Sequence, residues 1–351
     1  MSQAQRTPES TATDRPAPTA TFTAVVTLTP DPTPTPQPEM RQLTSGGCCT
    51  RPFWSADSRY VQFIDRPASR PLGIYGVDVG RGGPPTLLTE WIVSRSGDGA
   101  FYVYRDQDTT IVERVTDGEK YVIANGGRPV SVSPDGQRLL WQVTEQSGDF
   151  DRRQGQIWVA NVDGTAARIL AETVGLSQSQ WIDKGRILLV GGPLENLPYV
   201  SIAALTLGAA ENGDRRVELA QAVRPRGALV SPEGNWLVYY LTFQPNADDD
   251  GLWIVPTDAS QPPRKLDFFG SYHWRDDTHL LYVPLEPGVE SHTLWEYDLA
   301  GAESRRLTDP AWASFKIANN DWAVSLDGRY VVFVDAADHN LWLIELSPSD
   351  S

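Results

Sequence analysis

The chain has 351 residues, a formal net charge of −15 and a pI near 4.7, with 40% hydrophobic and 10% aromatic residues. That is enough apolar material for one large core or two smaller ones. The acidity argues against a nucleic-acid partner, whose binding needs a positive footprint, and against attraction to an anionic membrane surface.

Residues 1–39 differ from everything after them. Thr and Pro supply nearly half of the stretch, which closes on TPDPTPTPQPEM up to Met40. Such a composition cannot bury a core and favours extended polyproline-like conformations, so the segment reads as a disordered, semi-rigid spacer. The apolar residues between Thr19 and Thr29 are broken by threonines and form neither a signal peptide nor a membrane span. Spacers of this type hold bacterial domains away from a membrane or cell wall. The expectation is an extracytoplasmic or cell-surface protein whose export signal or anchor lies outside this sequence, with the cytoplasm as alternative and no direct membrane insertion. Next come Cys48 and Cys49, the only cysteines. Adjacent cysteines exclude a long-range disulfide framework within the chain, and a ring between neighbours strains the intervening peptide. Two ordinary thiols in a Gly-rich loop is the leading reading.

From residue 40 to residue 351 one phrase recurs seven times, roughly 37 to 51 residues apart. Its clearest copy is SVSPDGQRLLWQV at residues 131–143, and the acids at its centre are Asp57, Asp98, Asp135, Asp183, Glu233, Asp276 and Asp327. Ser-Pro-Asp-Gly is turn chemistry: Pro presets φ, the Asp carboxylate accepts backbone N–H groups, and Gly tolerates positive φ. Each copy therefore predicts a tight β-hairpin. An aromatic strand follows most copies, as IYGVDV from Ile74, IWVANV from Ile157, LWIVPT from Leu252, LWEYDL from Leu294 and LWLIEL from Leu341. A short strand with a basic start follows some of these, at Arg168, Arg264 and Arg305. One unit is thus four strands, and such units repeated around an axis make a β-propeller. The last unit lacks its fourth strand, and RQLT at Arg41, close to RRLT at Arg305, supplies it. The predicted fold is an all-β, seven-bladed propeller closed by an N-terminal strand completing the last blade.

These phrases resemble the TolB-type, WD40-like propeller repeats of bacteria, over residues 40–346. The units around Asp98 and Asp183 depart by lacking the aromatic third strand, and the amino-terminal domain of TolB itself is absent. The resemblance implies the fold and leaves function open, since this repeat serves binding proteins, protease gates and some lyases.

Repetition also sorts residues. A catalytic group is needed once, so Ser55, Ser96, Ser133, Ser231 and Ser325, two positions before the acid, are expected to hydrogen-bond the turn. Trp158, Trp253, Trp295 and Trp342 are expected to pack between blades. No G-x-S-x-G elbow is present, and His273, His279, His292 and His339 match no metal-ligand spacing. Asp248, Asp249 and Asp250 form a candidate cation site, with an exposed acidic turn as the rival reading. Arg51, Arg128 and Arg226 each stand just before an innermost strand, on the side opposite the acidic turns. Three converging guanidiniums there would bind a carboxylate, a phosphate or an acidic partner tail; local pairing is the alternative. Loops 144–156, 243–251, 284–293 and 308–322 border the same face.

The sequence reading is a monomeric, non-catalytic binding propeller without a cofactor, recognising a protein, peptide or glycan on its loop face. The alternative is a polysaccharide lyase or hydrolase with an axial active site. A scaffold with an apolar outer edge is the third.

Overall fold

The computed structural model describes residues 38–347 except 48, 49, 91, 146–148, 150, 151, 193–198 and 209–212. Both cysteines and almost all of the Thr/Pro segment therefore lie outside the described residues. Strands and turns make up the rest, and no helix among the described residues is long and apolar enough to cross a membrane.

Each repeat unit follows one plan. In the first, numbered by the acid Asp57, strand Thr50–Trp54 runs to the acidic turn, Tyr60–Asp65 returns, and Gly73–Asp78 and Thr86–Thr89 complete an antiparallel sheet. Every first strand thus ends at an acidic turn and begins at the opposite, loop end.

The turn forms because its own side chains satisfy it. Ser55 Oγ donates to Asp57 Oδ1 at 2.6 Å and accepts the Tyr60 amide at 2.9 Å, closing the hairpin. The same pair of bonds recurs at Ser96, Ser133 and Ser325. In the fifth unit Glu233 replaces the aspartate, and Ser231 turns instead to Asp277 of the next unit.

Five sheets have four strands each and one has seven. The expectation of seven separate blades is corrected here: units three and four share one sheet. Strand Arg168–Trp181 pairs with Gln154–Asn161 along its first half and with Arg186–Gly192 along its second. Several other units break the ladder with a Gly- or Pro-containing link, such as NGGRP (125–129), between a fourth strand and the next first strand. RILAETVGLSQSQW has one glycine, and the ladder runs on with only a register shift between Val174 and Ser177. The end strands close as predicted by sequence: Glu39–Gln42 pairs with Leu341–Glu345, placing Arg41 opposite Leu343.

First strands are innermost, and their indoles reach the backbone of the neighbouring first strand. Trp54 Nε1 donates to the Ala323 carbonyl at 3.3 Å, Trp181 to Ser131 at 3.3 Å and Trp274 to Leu229 at 3.1 Å. In each case a residue just before the turn ties its strand to the preceding unit. Trp158, Trp253, Trp295 and Trp342 lie half-buried against the apolar clusters between units.

Six such clusters are present, each built from two consecutive units. Units seven and one, for example, share Val332 and Leu343 with Phe63 and Tyr75. The junction of units one and two has no cluster among the described residues. Val61 and Phe63 face unit seven, so by strand alternation Gln62 and Ile64 face unit two. Gln62 Oε1 there is buried without a hydrogen-bond partner, as is Arg95 Nε of unit two.

Candidate functional site

Strand polarity brings the starts of the innermost strands to the loop face, and there the units stop resembling one another. Arg51 is exposed at a bulge between Thr50 and Phe53, with φ +50, a left-handed conformation that strains any residue with a Cβ. Arg226 is also exposed, beside a bulge at Gly227, whose φ is +60. A Cβ at Gly227 would lie 2.4 Å from the Tyr240 ring and 2.9 Å from the Tyr272 hydroxyl, so only glycine fits. Tyr272 also donates its hydroxyl to the Gly227 carbonyl. The backbone beneath Arg226 is clamped while its guanidinium is free. Neither Arg51 nor Arg226 makes a side-chain hydrogen bond or ion pair with the described residues.

Arg128 behaves differently. Its Nη1 donates to the Asn125 carbonyl at 2.5 Å, and its own carbonyl accepts from Thr110 at 2.7 Å and Asn125 at 2.9 Å. The glycine pair at 126–127 folds this arginine back on its own loop. Of the three arginines expected to act together, two present free guanidiniums and one is held by local partners.

The acidic run is a structured turn. Ala247–Asp249 forms one 3-10 turn capped by Asn246, and Asp250 accepts the amides of Phe243 at 3.1 Å and Gln244 at 2.8 Å. Lys265 Nζ donates to the Asp248 carbonyl at 2.6 Å and Trp253 Nε1 to that of Asp249 at 2.9 Å. Gln244 reaches the backbone of Val223, tying this loop to the segment that carries Arg226.

The histidines do not converge. His273 packs edge-on against Trp322 at 4.4 Å between centroids, and burial pushes its pKa down to about 4. His279 meets Asp276 at 3.0 Å at the acidic-turn end. His292 Nδ1 accepts the Ile317 amide at 3.1 Å, and burial, with Lys316 nearby, lowers its pKa. The described residues contain no group of three or more His, Cys, Asp or Glu that could hold a metal ion.

Sequence reasoning missed a cleft of about 510 Å³ at the loop end of unit five. Leu241, Phe243, Leu266, Phe268 and Phe269 line it, with Asp250, Lys265 and Asp267 at its rim. Only the Phe268-Phe269 doublet hinted at it, and nothing in the sequence joins that doublet to Phe243.

No family model matches the chain, and no curated protein does. Among solved structures it is similar to oligogalacturonate lyase in complex with manganese, with 12% identity and TM-score 0.62, covering 89% of this chain and 97% of that one. It is also similar to the acylaminoacyl peptidase of Pyrococcus horikoshii, with 12% identity and TM-score 0.59, covering 87% of this chain. The chain spans 52% of the peptidase. A TolB structure from Agrobacterium tumefaciens overlaps more loosely, with TM-score 0.42, 14% identity, and 74% of this chain against 92% of that one. The fold is a β-propeller. At these identities the likeness reaches no further than the fold, and the TolB-type resemblance stands at the level of the propeller. The non-catalytic reading is corrected to its enzymatic alternative, which fits the lyase and peptidase neighbours better.

Proposed function

We propose that the protein is an enzyme acting on an acidic polysaccharide, a lyase or hydrolase, with its active site at the axial mouth of the loop face. On this reading the seven repeat units, five as separate sheets and two sharing one, surround that axis. The observation that carries the proposal is the pair of exposed guanidiniums, Arg51 and Arg226, at the starts of two innermost strands. Their free forks match a carboxylate. The neighbour that overlaps over almost its whole length is named for oligogalacturonate, a carboxylated sugar chain.

The chemistry suits these residues. In β-elimination a base removes the proton on the carbon beside the carboxylate. The electron pair forms a double bond, the glycosidic C–O bond breaks, and the leaving oxygen is protonated. Charge builds on the carboxylate during this step, and fixed guanidiniums stabilise it where it develops. The described residues offer no matching set of ligands for the neighbour's manganese. His273 is sunk against Trp322, His279 is taken by Asp276, and His292 uses Nδ1 to accept an amide. A polymeric substrate and the Thr/Pro-rich segment both support an extracytoplasmic setting.

Incubation with oligogalacturonate, other uronate-containing glycans and neutral glycans tests the proposal. A lyase generates the ultraviolet absorbance of an unsaturated product; a hydrolase generates reducing ends without it. Failure to convert any uronate-containing glycan contradicts the proposal.

A further inference from the structure

The cleft of unit five lies on the same row of residues as Arg226. In the sheet Arg226 stands opposite Tyr240, Tyr240 opposite Leu252, and the neighbouring Trp253 opposite Lys265. Arg226 and the outer wall of the cleft are therefore three strand spacings apart, about 14 Å. Tyr240 bridges them, its ring against Gly227 on one side and edge-on to Phe269 at 6.3 Å on the other.

The cleft is built rather than incidental. Phe268 stacks on Tyr282 at 3.8 Å and meets Tyr297 at 5.3 Å, so that wall is fixed. Phe243 forms another wall at 76% exposure, held at φ +58 by the Asp250 carboxylate. Leu241 and Leu266, 6% and 3% exposed, form the floor. Leaving a phenylalanine ring in water and straining its backbone both cost stability, which ties that ring to a task rather than to packing. Asp250, the last residue of the acidic run, thus holds the backbone that presents Phe243.

The rim sets the chemistry of the occupant. Asp267 is exposed and accepts no hydrogen bond from the described residues, while both Asp250 oxygens take amides. The single nearby cation, Lys265, is turned to the Asp248 carbonyl. Carboxylates at the edge repel an acidic sugar and accept hydroxyl protons. Aromatic walls take the apolar C–H face of a ring.

We propose that the Phe243/Phe269 cleft is a subsite for a neutral sugar residue, stacked on the two rings with hydroxyls donated to Asp267. Resting on the axial-enzyme reading above, this makes the substrate a mixed chain, with a uronate at Arg51 and Arg226 and a neutral sugar further along.

The test measures binding of galactotetraose, cellotetraose and a rhamnogalacturonan oligomer by calorimetry. The wild type is compared with Phe243→Ala, Phe269→Ala, Asp267→Asn and the Arg51→Ala/Arg226→Ala double variant. At least one neutral oligomer is expected to bind, about tenfold more weakly to each cleft variant, a loss of about 1.4 kcal/mol, and unchanged in the arginine double variant. Equal melting temperatures exclude misfolding, and Phe269→Ala and Asp267→Asn keep the test valid should Phe243→Ala disturb its loop. No binding of any neutral sugar, or binding indifferent to all three cleft variants, overturns the subsite. Neutral-sugar binding at the cleft without turnover of any uronate chain leaves the subsite standing and removes the axial enzyme. Turnover lost in the arginine variant, with the cleft variants unchanged, does the reverse.

Discussion

The two ends of each repeat unit are made by the same strands yet treat their polar groups in opposite ways. At the turn end, Ser55, Ser96, Ser133 and Ser325 bond the acid and the returning amide in one repeated pattern. The turns also bond one another: Ser58 accepts the Asp327 amide, and Asp277 accepts from Ser231 and Asn235. At the loop end the pattern breaks into left-handed residues, bulges, exposed rings and two arginines without partners among the described residues. A turn whose polar groups are spent on one another has less to offer a ligand. The difference therefore locates function, and it can be attacked from either side.

The largest effect is expected where the turn end holds a buried charge. Arg275, 5% exposed, pairs with Glu296, itself 4% exposed, and donates to the carbonyls of Gly328 and Ser347. Arg275→Ala leaves buried Glu296 with only the part-exposed Arg305 and strips the Gly328 and Ser347 carbonyls of their donor. It is therefore expected to cost about 3 kcal/mol in urea unfolding. Arg305, whose side chain is 42% exposed, meets the same glutamate, and Arg305→Ala is expected to cost under about 1 kcal/mol.

Acid should act next. The folded pKa of His273, about 4, lies below the ordinary histidine value near 6.5, so the unfolded chain binds more protons between them. Its contribution is complete above about pH 6.5 and is lost as pH falls towards 4, up to about 3 kcal/mol. A His273→Phe variant should show a flatter stability profile across that window; an identical slope would refute the assignment.

A single turn serine comes third. Ser133→Ala removes two hydrogen bonds and is expected to cost about 1–2 kcal/mol, read from the shift in denaturant midpoint. The smallest effect has the opposite sign. Gln62→Met replaces an unpartnered buried amide oxygen at the junction that has no apolar cluster among the described residues, and should stabilise the fold by up to about 1 kcal/mol. A loss there would mean that the junction of units one and two is satisfied in a way the other groups do not indicate.

Much of the turn end was legible in the sequence, because a hairpin closed by Ser, Asp and Gly is encoded within a few residues. The same applies to ring closure, since RQLT at Arg41 and the unfinished last unit are complementary text. Two third strands without aromatics, Thr109–Arg114 and Val200–Thr206, form all the same: β-branched and small apolar residues fill their inward faces. The shared sheet was illegible because it depends on what is missing after Arg168, a loop that breaks the ladder. The loop end resisted for a different reason. An arginine before a strand looks the same whether it is free, as Arg226 is, or folded back by its neighbours, as Arg128 is. The aromatic cleft needs Phe243 and Phe269 side by side, and only the register of unit five puts them there.

The contrast between the two ends stands or falls on the arginines. The most direct measurement is kcat/KM of wild type and the Arg51→Ala/Arg226→Ala double variant on the uronate-containing glycan that the wild type converts best, with melting temperatures recorded alongside. The account predicts a fall of about 100-fold or more with the melting temperature unchanged, since neither side chain supports the fold. Equal kcat/KM in the two proteins would contradict it.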